Sequence, residues 1–257
     1  MTGATAPPGP FDPGAVRVLL CDADGNLFPS EEPAFEASTE VTNRFLAELG
    51  IDRRFAPAEL RAAAVGRNFR ATAADLAAEH GTPIAAERLD AWVEEERLQV
   101  SRHLGEVLTP DARVAEPLTR LAERLELAVV SSSALARLDV CFRATGLDAL
   151  LPAHSRFSAE DSLPAPTSKP DPAVYLHAGE RLGVAGPEGL AIEDAVAGVL
   201  SAAAAGFPVV GNLLFVPDDE REERRAALAE AGAVAVVASW EELEALLTPP
   251  AAGPPAA

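Results

Sequence analysis

Val16-Arg17-Val18-Leu19-Leu20-Cys21-Asp22-Ala23-Asp24-Gly25 opens the folded part of this chain. Residues 16–21 make a short, nearly continuous apolar run, the pattern of a strand covered on both faces in a parallel sheet. Such a strand delivers Asp22 to its C-terminal end. The carboxylates of Asp22 and Asp24 stand two positions apart on a turn that Gly25 permits, so they can share a hard cation and face one substrate atom. One can attack while the other manages protons. By itself the stretch also reads as a solvated Asp-Gly turn. Its place after a buried strand is what favours chemistry.

Downstream the periodicity changes. From about Ala34 to Leu104 the patterns are helical only: Thr42, Phe45, Leu46 and Leu49 share one face, and Phe69, Ala73, Leu76, Ala77 and His80 share another. Leu89, Val93, Val100 and Leu104 predict a further long helix, which Trp92 broadens, and Gly50, Gly66 and Gly81 stand where C-caps are wanted. After Thr109-Pro110 short apolar runs alternate with helical stretches: 127–130 then 135–145, 190–192 then 196–205, 209–210 then 220–231, 234–237 then 240–247. That alternation predicts an α/β fold, a Rossmann-like parallel sheet with helices on both faces. The helical block becomes an insertion after the first strand. The expected organisation is a sheet domain over 15–30 and 108–247, an all-helical unit over 31–107, and Pro/Gly/Ala-rich, poorly ordered tails over 1–14 and 248–257.

Bulk composition narrows the function. The chain has 257 residues and a formal charge of −19, which disfavours nucleic acid and anionic membrane surfaces as partners. No apolar run approaches the roughly 18 residues of a membrane span, and residues 1–14 lack the pattern of a secretory signal, so the cytoplasm is the expected location. Cys21 and Cys141 show no metal or disulfide spacing and read as small buried hydrophobes. Nearly all basic residues are Arg, and Lys169 is the only lysine.

Three further polar clusters are read as following apolar runs. Ser131-Ser132-Ser133 offers hydroxyls and N–H groups that can hold a phosphate oxygen, or a plain helix N-cap. In Ser168-Lys169-Pro170-Asp171-Pro172 the prolines restrict the backbone and aim the ammonium group, against the alternative of a surface lysine in a Pro-rich turn. Glu193-Asp194 are costly at the end of a buried strand unless solvated, paired or bound to metal, though they also suit the start of the next helix. In open α/β sheets, ligands bind at the carboxyl ends of the strands. Together the four clusters supply a nucleophile, a proton shuttle, a phosphate clamp and a cation site.

This set resembles the haloacid dehalogenase-like hydrolase superfamily, over the whole chain except its tails. Asp22-Ala23-Asp24-Gly25 matches the first motif, Ser131 the second, Lys169-Pro170-Asp171-Pro172 the third and Glu193-Asp194-Ala195-Val196-Ala197-Gly198 the fourth. The helical block is similar to the family's α-helical cap of the first type. The resemblance implies that Asp22 becomes an aspartyl-phosphate, while Asp24 protonates the leaving oxygen and then activates water. It implies that Ser131, Ser132 and Lys169 hold the phosphoryl group. Mg²⁺ would be bound by Asp22, Asp194 and the backbone carbonyl of Asp24, with Glu193 as a direct or water-mediated ligand. Within the helical block, Gly66-Arg67-Asn68-Phe69-Arg70 is the candidate specificity loop, where Arg67 and Arg70 would grip a second anionic group or simply start a helix in solvent.

The expected activity is therefore a Mg²⁺-dependent phosphatase acting on a small phosphorylated metabolite, with a monomer as the default state. The alternatives are a sugar-phosphate mutase of the beta-phosphoglucomutase type and a catalytically silent, ligand-binding regulator. Ala34, where mutase-like relatives often carry His, counts against the first. Asn26 and Pro29, which depart from the family's first motif, are the only support for the second.

Overall fold

Val18–Cys21 form strand β1, every residue of which is buried. The computed structural model describes residues 11–64 and 68–248. In it β1 lies at the middle of a parallel sheet with β2 (Glu126–Ser131), β3 (Arg156–Ser158), β4 (Gly189–Glu193), β5 (Val209–Asn212) and β6 (Ala235–Val237). The strand order is β3-β2-β1-β4-β5-β6. Leu19 pairs with Leu127 on one side and Leu190 on the other, so β1 is hydrogen-bonded along both edges as its apolar sequence requires.

From β1 the chain steps outward to β2 and β3, crosses back to β4, and continues to β5 and β6. With right-handed crossovers, this reversal places the connecting helices of the two halves on opposite faces. The crevice between β1 and β4 is the topological switch point. On one face Val18, Leu20, Ala128 and Val130 pack with Val174, Tyr175 and Ala178 of α7 (Ala173–Leu182) and with Val199 and Ala202 of α8 (Val196–Ala204). Full burial of a side chain such as Leu20 contributes about 1.5–3 kcal/mol. The alternate residues Leu19, Cys21, Leu127 and Val129 turn to the other face, as a pleated strand demands. The remaining helices of this unit are α5 (Ala112–Ala122), α6 (Leu135–Thr145), α9 (Arg221–Glu230) and α10 (Trp240–Leu247). Both cysteines are buried free thiols, and burial pushes both upward, Cys141 to about 12.

The segment Pro29–Leu108 is a second compact unit. It contains α1 (Glu31–Glu48), α2 (Pro57–Ala63), α3 (Phe69–Glu79) and α4 (Ala86–Val107) around a core that includes Val41, Phe45, Leu46, Leu76 and Trp92. Phe45 meets Trp92 edge to face, with ring centroids 5.8 Å apart. Gly50 and Gly81 follow α1 and α3 at positive φ, where C-caps are expected, whereas Gly66 lies outside the described residues. His80, expected on the buried face, is exposed beyond the end of α3, and Thr72 joins Ala73, Leu76 and Ala77 among that helix's buried residues.

Several local features differ from the sequence expectation. Strand β3 is a strand without an apolar run, because buried Arg156 satisfies its guanidinium internally: it donates to the Leu151 carbonyl (2.8 Å) and to Asp139 (2.6 Å) and lies 4.2 Å from the centroid of the Phe142 ring. Helix α5 buries Val114, Leu118 and Leu121 despite an internal Pro117. The expected N-terminal tail ends in a short 3-10 turn, Pro13–Ala15, whose Gly14 N–H donates to Asp12. Lys169 does not directly follow a strand, as its motif suggests, but sits in the long connection between β3 and α7. Among the described residues no helix is long and apolar enough to cross a membrane.

Candidate active site

The backbone after β1 is built to present Asp22 and turn sharply. Asp22 N–H donates to the Ile192 carbonyl (2.9 Å), extending the β1–β4 ladder by one residue. Leu27 N–H then donates to Ala23 (2.9 Å) and Gly25 N–H to Phe28 (3.0 Å), closing a tight loop. Gly25 has φ +75°, and a Cβ there would stand 2.3 Å from Asp194 Oδ2. Glycine is required twice over, for the left-handed backbone and for the approach of the second acidic motif.

Asn26, which the sequence left unexplained, pins this loop. Its amide donates to the Asp22 carbonyl (2.8 Å) and the Ile192 carbonyl (3.3 Å), and its own oxygen accepts from Asn212 on β5 (2.8 Å). Trp240 Nε1 donates to the Asn26 carbonyl at 3.2 Å. A fully buried polar side chain is thus satisfied by tying together the ends of β1, β4 and β5.

Lys169 reaches the same place from its loop. Its ammonium donates to Asp22 Oδ1 (2.5 Å), Glu193 Oε1 (2.6 Å) and the Val130 carbonyl (2.7 Å), which saturates its three donors. Its backbone N–H donates to Ser132 Oγ (3.1 Å), and the Lys169–Pro170 peptide is cis. Glu193 Oε1 also accepts from the Tyr175 hydroxyl. The other oxygen of Glu193 lies where a Cβ on Gly198, in the first turn of α8, would be 1.7 Å away. Arg224 of α9 donates to the Asp194 carbonyl at 2.9 Å.

Two buried acids, Asp22 and Glu193, therefore share one ammonium. Burial pushes the Asp22 carboxyl up to about 8, with Lys169 opposing the rise and Glu193 adding to it. Glu193 is likewise raised by burial, against the pull of Lys169 and Tyr175. For Lys169 burial acts downward, but Asp22 and Glu193 together outweigh it and hold the group above its ordinary value. Carboxylate oxygens of Asp22, Glu193 and Asp194 can lie within 4.8 Å of one another. An all-oxygen, electron-rich cluster of this kind suits a hard divalent cation such as Mg²⁺. The press of Asp194 against Gly25 gives it a defined cradle.

Ser131 closes β2, and its buried Oγ accepts from Ser133 N–H at 3.0 Å. The carboxylate of Asp24 is held by Ser133, read from the sequence only as part of the serine run, and by Arg137, which sequence reasoning passed over: Ser133 Oγ donates to Oδ2 (2.7 Å) and Arg137 Nη2 to Oδ1 (3.0 Å). A signal was present. Arg137 stands in the first turn of α6, where the helix dipole disfavours a cation unless an anion faces it. Asp22, Asp24, Ser131, Ser132, Lys169, Glu193 and Asp194 thus lie at the carboxyl ends of β1, β2 and β4 or are bonded to residues there. Arg70 makes an exposed ion pair with Asp90 of α4 (2.6 Å), and Arg67 lies outside the described residues.

The family model for haloacid dehalogenase-like hydrolases matches residues 16–206. No curated protein matches the chain. Among solved structures, a conserved haloacid dehalogenase-like protein of unknown function from Agrobacterium tumefaciens is 26% identical, with TM-score 0.67, over 90% of this chain and 97% of that one. A HAD family hydrolase from Deinococcus radiodurans, solved with bound phosphate and sodium, is 28% identical, with TM-score 0.63, over 93% and 95%. A candidate beta-phosphoglucomutase from Thermotoga maritima is 26% identical, with TM-score 0.66, over 90% and 98%. With its first acidic loop, lysine and second acidic pair gathered at the switch point of a parallel sheet, this chain belongs to the haloacid dehalogenase-like hydrolases.

Proposed function

We propose that the protein is a Mg²⁺-dependent phosphatase of small phosphorylated metabolites that works through an aspartyl-phosphate on Asp22. The observation that carries this reading is the bonding of Lys169 to both Asp22 and Glu193 beside Asp194, an arrangement that suits Asp22 as nucleophile, Lys169 as cation and Asp194 as metal-binding acid. The phosphate and sodium bound by the Deinococcus hydrolase support the same chemistry.

In the first step an oxygen of Asp22 bonds to phosphorus, the bond to the leaving oxygen breaks, and Asp24 gives that oxygen a proton. In the second step Asp24 takes a proton from water as it attacks phosphorus, releasing phosphate and free Asp22. Mg²⁺ held by Asp22, Asp194 and the Asp24 carbonyl offsets the negative charge of nucleophile and phosphoryl group when bound. Lys169 supplies a positive charge to the transferring group. Glu193 acts chiefly through Lys169, to which it is hydrogen-bonded. The hydroxyls of Ser131 and Ser132 each accept an N–H bond, from Ser133 and Lys169, which leaves their protons to donate to phosphoryl oxygens. Substrate choice falls to the helical unit, with Arg67 and Arg70 as the residues to vary first.

The test is a phosphate-release screen with Mg²⁺ over sugar phosphates, nucleotides and phosphorylated acids, with Asp22→Asn as control. Release that requires Mg²⁺ and vanishes in Asp22→Asn supports the reading. Isomerised sugar phosphate without free phosphate would assign the chain to the mutases instead, the activity for which the Thermotoga protein is a candidate. No release, with Asp22→Asn unchanged from wild type, would leave a ligand-binding regulator.

A further inference from the structure

Asp24 must face a leaving oxygen in one step and a water in the next, so the orientation of its carboxylate matters to both. Its two oxygens are held separately, Oδ2 by the Ser133 hydroxyl (2.7 Å) and Oδ1 by Arg137 Nη2 (3.0 Å). Two donors on two oxygens fix the plane of a carboxylate, where one would leave it free to rotate. Ser133 lies in the connection between β2 and α6 and Arg137 in the first turn of α6, and the side chains of Asp24 and Arg137 are about three-quarters buried, 24% and 25% exposed. The cation also sits at the unfavourable end of the α6 dipole, a placement the Asp24 pairing offsets.

We propose that Ser133 and Arg137 are positioning residues that set the carboxylate of Asp24 for proton transfer. This rests on the phosphatase reading. The clamp serves the proton and not the attack: Asp22 makes its bond to phosphorus whether or not Asp24 is aligned, but the departing oxygen then leaves unprotonated. An alkoxide is too basic to leave that way, whereas p-nitrophenolate leaves readily. Loss of the clamp therefore discriminates between leaving groups, which a general loosening of the fold does not.

The experiment measures single-turnover phosphorylation of Asp22, with Mg²⁺ present, from an alkyl phosphate and from p-nitrophenyl phosphate. Arg137→Ala is expected to slow transfer from the alkyl phosphate by about 10-fold or more and from p-nitrophenyl phosphate by less than about 3-fold. Arg137→Lys should recover part of the alkyl rate, and Ser133→Ala should show the same selectivity. Arg137→Met, which keeps the length of the side chain without a donor, is used with the same expected selectivity if Arg137→Ala does not fold. Equal slowing with both donors, or none with the alkyl phosphate, overturns the proposal. If wild type accepts phosphate from no donor, the phosphatase reading fails separately. The clamp is then decided by crystal structures of wild type and Arg137→Ala, where an Asp24 carboxylate rotated off Ser133 in the variant supports it and an unmoved one sinks it.

Discussion

Lys169 Nζ lies 2.5 Å from Asp22 Oδ1, and the same ammonium is bound by Glu193 Oε1 and the Val130 carbonyl, so one buried cation organises the whole crevice. Its three bonds converge on a single nitrogen. A guanidinium spreads its donors over a planar fork and cannot reproduce that geometry.

Both Lys169→Met and Lys169→Arg should therefore lower kcat/KM for phosphate release by about 100-fold or more, the loss seen when one charge-stabilising donor is removed from a transition state. Lys169→Met also strands Asp22 and Glu193 in the interior, where they are 7% and 1% exposed. Breaking a buried pair costs about 3–5 kcal/mol. Urea denaturation without Mg²⁺ should show the larger cost at about pH 9, where Asp22 is ionised beside Lys169 in the wild type, and a smaller one at about pH 5, where the folded wild type already holds Asp22 protonated.

The raised Asp22 carboxyl makes metal-free stability depend on pH. The folded state holds a proton on Asp22 up to about 8, while the unfolded chain releases it near its ordinary value of 3.8. Between these values the folded state binds more protons, so stability falls as pH rises through the window and levels off above it. Glu193 shifts in the same direction. Glu48, Glu94, Asp111 and Glu244 shift downward, and their opposite contributions lie below the ordinary carboxylate range. Mg²⁺ competes with the proton, so the rise in Tm on adding Mg²⁺ should grow from pH 5 to pH 8. A gain independent of pH would contradict the assignment of Asp22 as a ligand.

Gly198 tests whether Glu193 must keep its place. A methyl group there would collide with Glu193 Oε2 at 1.7 Å, and the opposite oxygen is held by Lys169 and Tyr175. Gly198→Ala should destabilise the fold by about 1–3 kcal/mol through overpacking and lower kcat with it. Glu193→Asp withdraws the carboxylate by one methylene. The double variant should therefore be more stable than the sum of the single effects, a coupling that a double-mutant cycle measures.

Much of this centre was legible in the sequence because its chemistry sits beside strong local signals. Asp22 and Glu193 end apolar strands, Asp194 follows directly, and Lys169 is the only lysine and lies beside prolines. The parallel sheet followed from the alternation of short apolar runs and helices, but β3 did not, since its buried Arg156 depends on Leu151, Asp139 and Phe142. Arg137 was hidden for the same reason, its partner Asp24 being 113 positions away. Local patterns report burial and turn geometry; they do not report which distant groups satisfy a polar side chain.

Asn26 is the residue of the first motif whose role only the fold reveals, and its replacement gives an ordered set of outcomes. Its Nδ2 donates to the Asp22 and Ile192 carbonyls, and its Oδ1 accepts from Asn212. Asn26→Ala removes the donor and the acceptor together in a site with no exposed surface, leaving buried groups unpaired at about 1–3 kcal/mol each. Asn26→Asp is the harsher change, because a carboxylate would face two carbonyl oxygens with no proton to give, and the loss should ease as pH falls and the new acid protonates. Asn212→Ala removes the bond to Asn26 and also the acceptor of the Leu214 N–H (3.1 Å). Only the part of its effect that comes from the shared amide bond should disappear when Asn26 is already Ala. Because Asn26 holds the backbone of Asp22 and touches no substrate in the proposed reaction, its variants should lower kcat more than they raise KM. Thermal melts at two pH values and steady-state kinetics on the folded variants check the order; a loss confined to KM would mean that Asn26 acts on substrate binding instead.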